Sequence, residues 1–300
     1  MINGNTPLAP VMGIYGRAKL GKSTQLSELC AGSGAMAIVA SSSALLPAKT
    51  FLELPGLNTR EAASISEVRK LVKEHGPKCK IMGIDDLTVI VKRSGKEWKV
   101  LNRDIIGLIY EDCIPIRDKY GTCFVITLHE QEERISSGKR IRGGPELPGQ
   151  APEEFSGYLD VILRAVSDET MELWPFVYHS ISRPKWIAGD RLSVFPDQCP
   201  MNICEGLRLY GMNIARAPGL EWQDHMTHKL YEMLIAEPDN ITNWRDIVKP
   251  IVLTAISKNP ERYKLGQVKW AVRDALHRAI YQKAKSIDKW LEVPDTVMIG

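Results

Sequence analysis

The sequence predicts an α/β fold: a doubly wound, mainly parallel sheet with a helical appendage at its C-terminal end. Three observations carry this. Short apolar runs recur through the first 215 or so residues, segments of helical periodicity alternate with them, and from about Gly219 the periodicity becomes wholly helical. The division is therefore a core over 1–218 and an appendage over 219–300.

The apolar runs lie at 11–15, 36–40, 80–84, 122–128 and 159–165. They are short and lack polar alternation, as strands buried on both faces of a parallel sheet do. Helical patterns fall between them. One covers 23–30. Another covers 65–74, with Ile65, Val68, Leu71 and Val72 on one face. A third covers 101–120, with Leu101, Ile105, Leu108, Ile109 and Ile116 in register, and Pro115 is expected to kink or end it. The runs at 171–181 and 185–188 are expected to add antiparallel strands. In the appendage, helices are expected at 222–236, 243–257 (interrupted at Pro250) and 266–285, with breaks at Pro238, Pro260 and Pro294.

Composition narrows the class. A chain of 300 residues that is 44% hydrophobic and 25% charged buries roughly three quarters of its unfolded surface, so it needs neither disulfides nor metal to fold. No stretch approaches the ~20 apolar residues of a membrane span, and 1–10 carries no basic-then-apolar leader. The six cysteines are scattered in apolar contexts, which suits reduced thiols and a cytoplasmic setting. The net charge of +3 argues against a uniformly basic surface. It conceals a local excess, because 258–289 holds nine basic against three acidic side chains, with Tyr263, Trp270 and Tyr281 interleaved and Trp290 following. Such a segment binds single strands by charge and stacking, or is an amphipathic helix with solvated lysines.

Gly16-Arg17-Ala18-Lys19-Leu20-Gly21-Lys22-Ser23 fits G-x-x-x-x-G-K-[ST], after an apolar strand and at the start of a helix. Glycines let backbone N–H groups approach a polyphosphate closely. Gly16, Ala18, Lys19, Gly21, Lys22, Ser23 and Thr24 are the expected ATP contacts, with Lys22 on the β/γ-phosphates and Ser23 a hydroxyl ligand for Mg²⁺. The acid that completes such a site is Asp85, 63 residues after Lys22 at the end of an apolar run. Asp86 either orients the attacking water or caps the next helix. His129 and Glu130 end the fourth strand, where a polar group senses the γ-phosphate; His129 is the candidate sensor, or a satisfied histidine at a strand end. From Glu130 to Phe155 there is little secondary-structure pattern. That stretch carries Arg134, Lys139, Arg140 and Arg142 among glycines and prolines, and is read as a loop gripping a phosphate backbone or as a solvated loop. His225-x-x-His228 and Cys199-x₄-Cys204 lack further ligands at metal spacing.

The order of P-loop, intervening strand, Asp85 strand, sensor strand and basic glycine-rich loop resembles the RecA-type ATPase core. More closely it resembles the phage-encoded Sak-type single-strand annealing ATPases, chiefly through Thr127-Leu128-His129-Glu130 and Gly143-Gly144-Pro145-Glu146-Leu147-Pro148-Gly149. The matching segments span about 200 of the 300 residues. The resemblance implies ATP and Mg²⁺ as cofactors, with Lys22 and Ser23 on phosphate and metal, Asp85 supporting the metal and His129 as the switch residue; with Asp86 and Glu130 as candidate bases, the expected catalytic set is Lys22, Asp85, Asp86, His129 and Glu130. It implies single-stranded DNA on Arg134, Lys139, Arg140 and Arg142, and a homo-oligomeric ring or filament in which Arg183, Lys185 and Arg191 reach a neighbouring subunit. It also implies a single-strand DNA-binding protein as a partner, with no membrane, in the cytoplasm of a phage-infected cell. There are two departures. Recombinases of this type carry a catalytic Glu just after the second strand, where this chain has Ser41-Ser42-Ser43. The base role then moves to Asp86 or Glu130, or turnover is slow. Only about ten residues precede the first strand, too few for the usual polymerisation segment. An ATP-switched assembly or loader factor and a P-loop small-molecule kinase are the alternatives. The basic loop would serve the kinase as a lid, although the sensor-strand order suits it less.

Overall fold

The computed structural model describes residues 8–31, 34–41, 57–136, 139–149, 151–167, 176–197, 199–214, 221–237, 241, 243–258 and 265–291. The chain divides into two compact units, Met1–Glu221 and Trp222–Gly300. In chain order the first unit runs β1 (Val11–Gly16), α1 (Lys22–Cys30), β2 (Ala35–Val39), β3 (Thr59–Glu61), α2 (Ile65–His75), β4 (Ile81–Asp85), α3 (Leu87–Arg93), α4 (Trp98–Gly107) and α5 (Ile114–Tyr120). It continues through β5 (Cys123–Gln131), β6 (Arg134–Ser136), β7 (Lys139–Ile141), β8 (Gly144–Pro145), α6 (Ala151–Tyr158), β9 (Val161–Ser167), β10 (Phe176–His179), β11 (Gly189–Asp190), β12 (Cys199–Pro200) and α7 (Ile203–Leu209).

The sheet order is β12-β10-β9-β1-β5-β4-β2-β3. From β9 to β3 every pairing is parallel. β10 and β12 add antiparallel strands at one edge, and β11 pairs antiparallel with the first residues of β9. This is the expected α/β class, a mainly parallel sheet flanked by helices. β5 lies between the P-loop strand β1 and the acid strand β4, so Gly16, Asp85 and His129 all reach the carboxyl edge of the sheet.

Alternate residues of each strand feed opposite faces. On one face Met82, Ile84, Phe124, Ile126 and Leu128 pack beneath α2, α3, α4 and α6 through Ile65, Val68, Leu87, Ile105 and Phe155. On the other, α1 lies so close to β4 that a Cβ on Gly83 would sit 2.6 Å from Leu26 Cδ1. Fully burying Leu26 contributes about 2 kcal/mol, and the glycine lets α1, and so the P-loop, seat at this depth.

Several expectations change. The helix over 101–120 does not end at Pro115. Leu108–Cys113 takes a π turn just before the proline, and the helix runs on to Tyr120. The wider turn accommodates the missing N–H, and Gly121, at φ 74°, ends the helix in the left-handed region. β3 is an additional strand, short and polar (Thr-Arg-Glu) and so without an apolar signature. The 130–155 stretch is not patternless. It holds the β6–β7 hairpin, β8 paired with the end of β5, and the start of α6. The run at 185–188 is a tight turn closed by Arg183 and Trp186 rather than a strand. Of 171–181, residues 171–175 lie outside the described residues.

The second unit contains α8 (Glu221–Ile235), α9 (Trp244–Lys258) and α10 (Leu265–Leu291). α9 is not interrupted at Pro250. Val248 and Val252, buried on either side, hold both turns in place, and packing outweighs the local cost of proline. Pro238, Pro260 and Pro294 lie outside the described residues. α10 buries Val268, Ala271, Val272, Ala275, Leu276 and Ala279. It also buries Arg273, whose guanidinium donates to Asp274 at 2.8 Å, so one cation of the basic segment is not on the surface. The side chains of Trp270, Lys285, Lys289 and Trp290 lie outside the described residues, as do Arg262, Tyr263 and Lys264. Among the described residues, no helix is long and apolar enough to cross a membrane.

Candidate functional site

The site begins where β1 turns into α1. Lys19 and Gly21 both have left-handed φ, 65° and 75°, a conformation that makes successive N–H groups converge on an anion. Gly21 is the N-cap of α1, and neither a capping side chain nor an acid occupies its first turn, so the amides from Lys22 onward remain available to a phosphate. Arg17, Ala18 and Lys19 are exposed and Thr24 is half-buried.

Lys22 is buried, and its Nζ donates to the carbonyls of Gly16 (2.9 Å) and Arg17 (2.8 Å). Burial pushes its pKa down, opposed by Asp86, Asp85 and Glu130. Ser23 Oγ donates to Asp85 Oδ1 at 3.0 Å. Thr127 Oγ1 donates to the same oxygen. Burial raises the Asp85 carboxyl pKa. The Thr127 bond opposes that rise, neighbouring Asp86 adds to it, and Ser23 and Lys22 oppose it. A buried carboxylate beside a hydroxyl and a lysine, held by neutral donors alone, is the donor set that suits Mg²⁺, which takes few protein ligands and keeps water or phosphate for the rest. Among the described residues, no cluster of three or more His, Cys, Asp or Glu could hold a metal.

Of the two roles left open by the sequence, Asp86 takes the cap. It caps α3, accepting from the N–H groups of Thr88 (2.8 Å) and Val89 (3.3 Å), and its other oxygen meets His129 Nε2 at 3.0 Å. The Asp85–Asp86 peptide is cis. Glu130 forms a part-buried ion pair with Arg164 Nε at 2.7 Å, and the Arg164 guanidinium stacks 4.6 Å above the Trp186 ring.

The expected DNA-contacting and inter-subunit residues are only partly brought together. Arg134 is exposed in β6. Lys139 and Arg140 are in β7, with side chains outside the described residues. Arg142 sits 3.6 Å from Glu153. Arg183 meets Asp197 at 3.2 Å, and Lys185 is exposed on the same turn. Arg191 is elsewhere, at the amino end of β9, donating to Gly157 O at 2.7 Å.

Several residues escaped the sequence reading. Thr127 had a signal, two positions before His129 on one strand. Thr88 had none. Its Oγ1 accepts from His129 N (3.0 Å) and donates to Glu146 O (3.2 Å). Tyr15 donates its hydroxyl to Ile187 O, and Arg17 pairs with Glu132. These contacts tie both loops beside the site to the P-loop.

No family model and no curated protein matches the chain. Among solved structures, the flagellar accessory protein FlaH from Methanocaldococcus jannaschii overlaps 55% of this chain and 74% of its own, with a TM-score of 0.38 and 11% identity.

Proposed function

We propose that the chain is an ATPase that binds ATP with Mg²⁺ at Gly16–Thr24, and that it acts as an oligomer on single-stranded DNA in phage recombination or annealing. The observation that carries this reading is the meeting of Lys22, Ser23 and Asp85 at the carboxyl edge of a parallel sheet, beside a loop with convergent amides. Mg²⁺, when bound, offsets the charge that develops on the phosphates. Ser23 and Asp85 would hold it. Lys22 holds the β/γ-phosphates, and Asp86 with His129 orients water. The hairpin of β6 and β7 carries the basic residues toward a phosphate backbone.

A second reading, an ATP-switched assembly factor with slow turnover, is favoured by one observation. The end of β2 carries no acid, Asp86 is engaged by two amides and His129, and Glu130 is engaged by Arg164. Turnover with and without single-stranded DNA separates the two. Stimulation by DNA supports the first. ATP-dependent DNA binding without turnover supports the second, and the absence of both effects refutes both readings. Lys22→Ala is expected to weaken ATP binding by about 100-fold. Imaging with single-stranded DNA and a non-hydrolysable analogue distinguishes filament, ring and monomer.

A further inference from the structure

We propose that Thr127 is a positioning residue for the metal: it fixes the Asp85 carboxylate that, with Ser23, would hold Mg²⁺, and so sets how strongly Mg²⁺ tightens nucleotide binding. The inference rests on the nucleotide reading above and deepens it.

Thr127 is out of character for its strand. From Cys123 to Leu128 every residue of β5 is buried, and Thr127 alone among them carries a hydroxyl. A hydroxyl in such a run is tolerated when it is hydrogen-bonded, and this one has a particular partner. Ile126 pairs with Ile84, so Thr127 comes level with Asp85 on the neighbouring strand. Its Oγ1 donates to Asp85 Oδ1. The carbonyl of Ile84 is the more distant acceptor, at 3.5 Å, so the single hydroxyl proton belongs to the carboxylate.

Asp85 Oδ1 has a second donor, Ser23 Oγ at 3.0 Å. The two donors stand on different footings. Ser23 is in the first turn of α1, beside the P-loop, and its hydroxyl is the one expected on the metal. Thr127 is β-branched and stiff about χ1, on a strand with parallel neighbours on both sides. Its grip on Asp85 therefore does not depend on what the P-loop holds. A neutral donor also leaves the charge of the carboxylate for a cation, and such partners of a ligating carboxylate orient it. The nearby cation does not compete, because Lys22 Nζ is engaged by the carbonyls of Gly16 and Arg17. Asp86 is engaged by the amides of α3 and by His129. The site thus relies on the one carboxylate that Thr127 holds.

The test is the affinity for a fluorescent ATP analogue, measured in excess EDTA and across a series of free Mg²⁺ concentrations. Wild type is expected to bind more tightly as Mg²⁺ is added. Thr127→Val keeps the shape and loses the donor. It is expected to raise the half-saturating Mg²⁺ at least about 10-fold, with metal-free affinity within about threefold of wild type. Thr127→Ser keeps the hydroxyl and is expected to stay within about threefold of wild type in both measurements. In an Asp85→Asn background, Thr127→Val is expected to add less than about twofold, because Thr127 acts through that carboxylate. Should Thr127→Val not fold, Thr127→Cys, whose thiol is a weak donor, carries the same comparison, with a rise in half-saturating Mg²⁺ expected. An unchanged Mg²⁺ requirement in the folded variant overturns the inference. So does an equal loss of affinity with and without Mg²⁺, and so does a wild type whose nucleotide binding ignores Mg²⁺. If wild type binds no nucleotide in either condition, the functional reading itself fails, and the EDTA arm shows this separately.

Discussion

Gly16 has no room for a methyl group. A Cβ there would lie 2.6 Å from the Ala165 carbonyl and 3.0 Å from its Cβ, so the residue that opens the P-loop is also pressed against β9. Gly16→Ala is expected to cost about 1–3 kcal/mol of stability and to abolish nucleotide binding, read by thermal melting and titration. Asp85 makes a prediction about pH. Burial raises its folded pKa above the ordinary 3.8, so the folded state binds protons more readily than the unfolded one. Its contribution is favourable below about pH 4 and is lost as pH rises through the raised value. In magnesium-free buffer, Asp85→Asn should therefore lose less stability than wild type between about pH 4 and pH 8. Equal slopes would refute this. The motif residues were legible because spacing alone identifies them. Thr88 and Glu146 were not, because their partners lie 41 and about 17 residues away and meet only through the β5–β8 pairing.

At the scale of elements, the strands buried on both faces announced themselves as apolar runs, and α2 did so by its stripe. The two- and three-residue strands β3, β6, β7 and β8 did not, because segments that short carry neither an apolar run nor a legible alternation. The proline at 250 misled for a related reason, as did the ending alternative at 115: local propensity is a weak prior once packing fixes the turns on either side. α10 carries a test of its unit. His277 is buried, and burial pushes its pKa down to about 3, partly offset by Asp274. For a depressed histidine the stabilising contribution is present above about pH 6.5 and is lost as pH falls toward 3. The loss amounts to about 2 kcal/mol by pH 5. His277→Gln should flatten the fall in melting temperature over that range; a fall equal to wild type's would refute the assignment.

For the whole molecule, charge is distributed by region. With +6 in 258–289 and −2 in the last eleven residues, 1–257 carries −1. Near-neutrality of the total thus leaves a nucleic-acid contact confined to patches. If Arg134, Lys139, Arg140 and Arg142 each neutralise one phosphate of a single strand, log affinity should fall with log salt with a slope of about −3. Arg142→Ala should change the slope by less than one, since Glu153 already claims that guanidinium. A slope near zero would remove the hairpin from the interface.

One strand has an unusual distribution of partners. Along the end of β5 and just past it, Thr127 meets Asp85, His129 meets Asp86, Glu130 meets Arg164 and Glu132 meets Arg17. Successive residues of a strand point to opposite sides, so inserting or deleting a single residue between Cys123 and Thr127 would hand every one of these groups to the wrong neighbour at once, even if the hydrophobic character of the strand were kept. β5 can therefore be rewritten in composition at its apolar positions, but its length is the molecule's ruler.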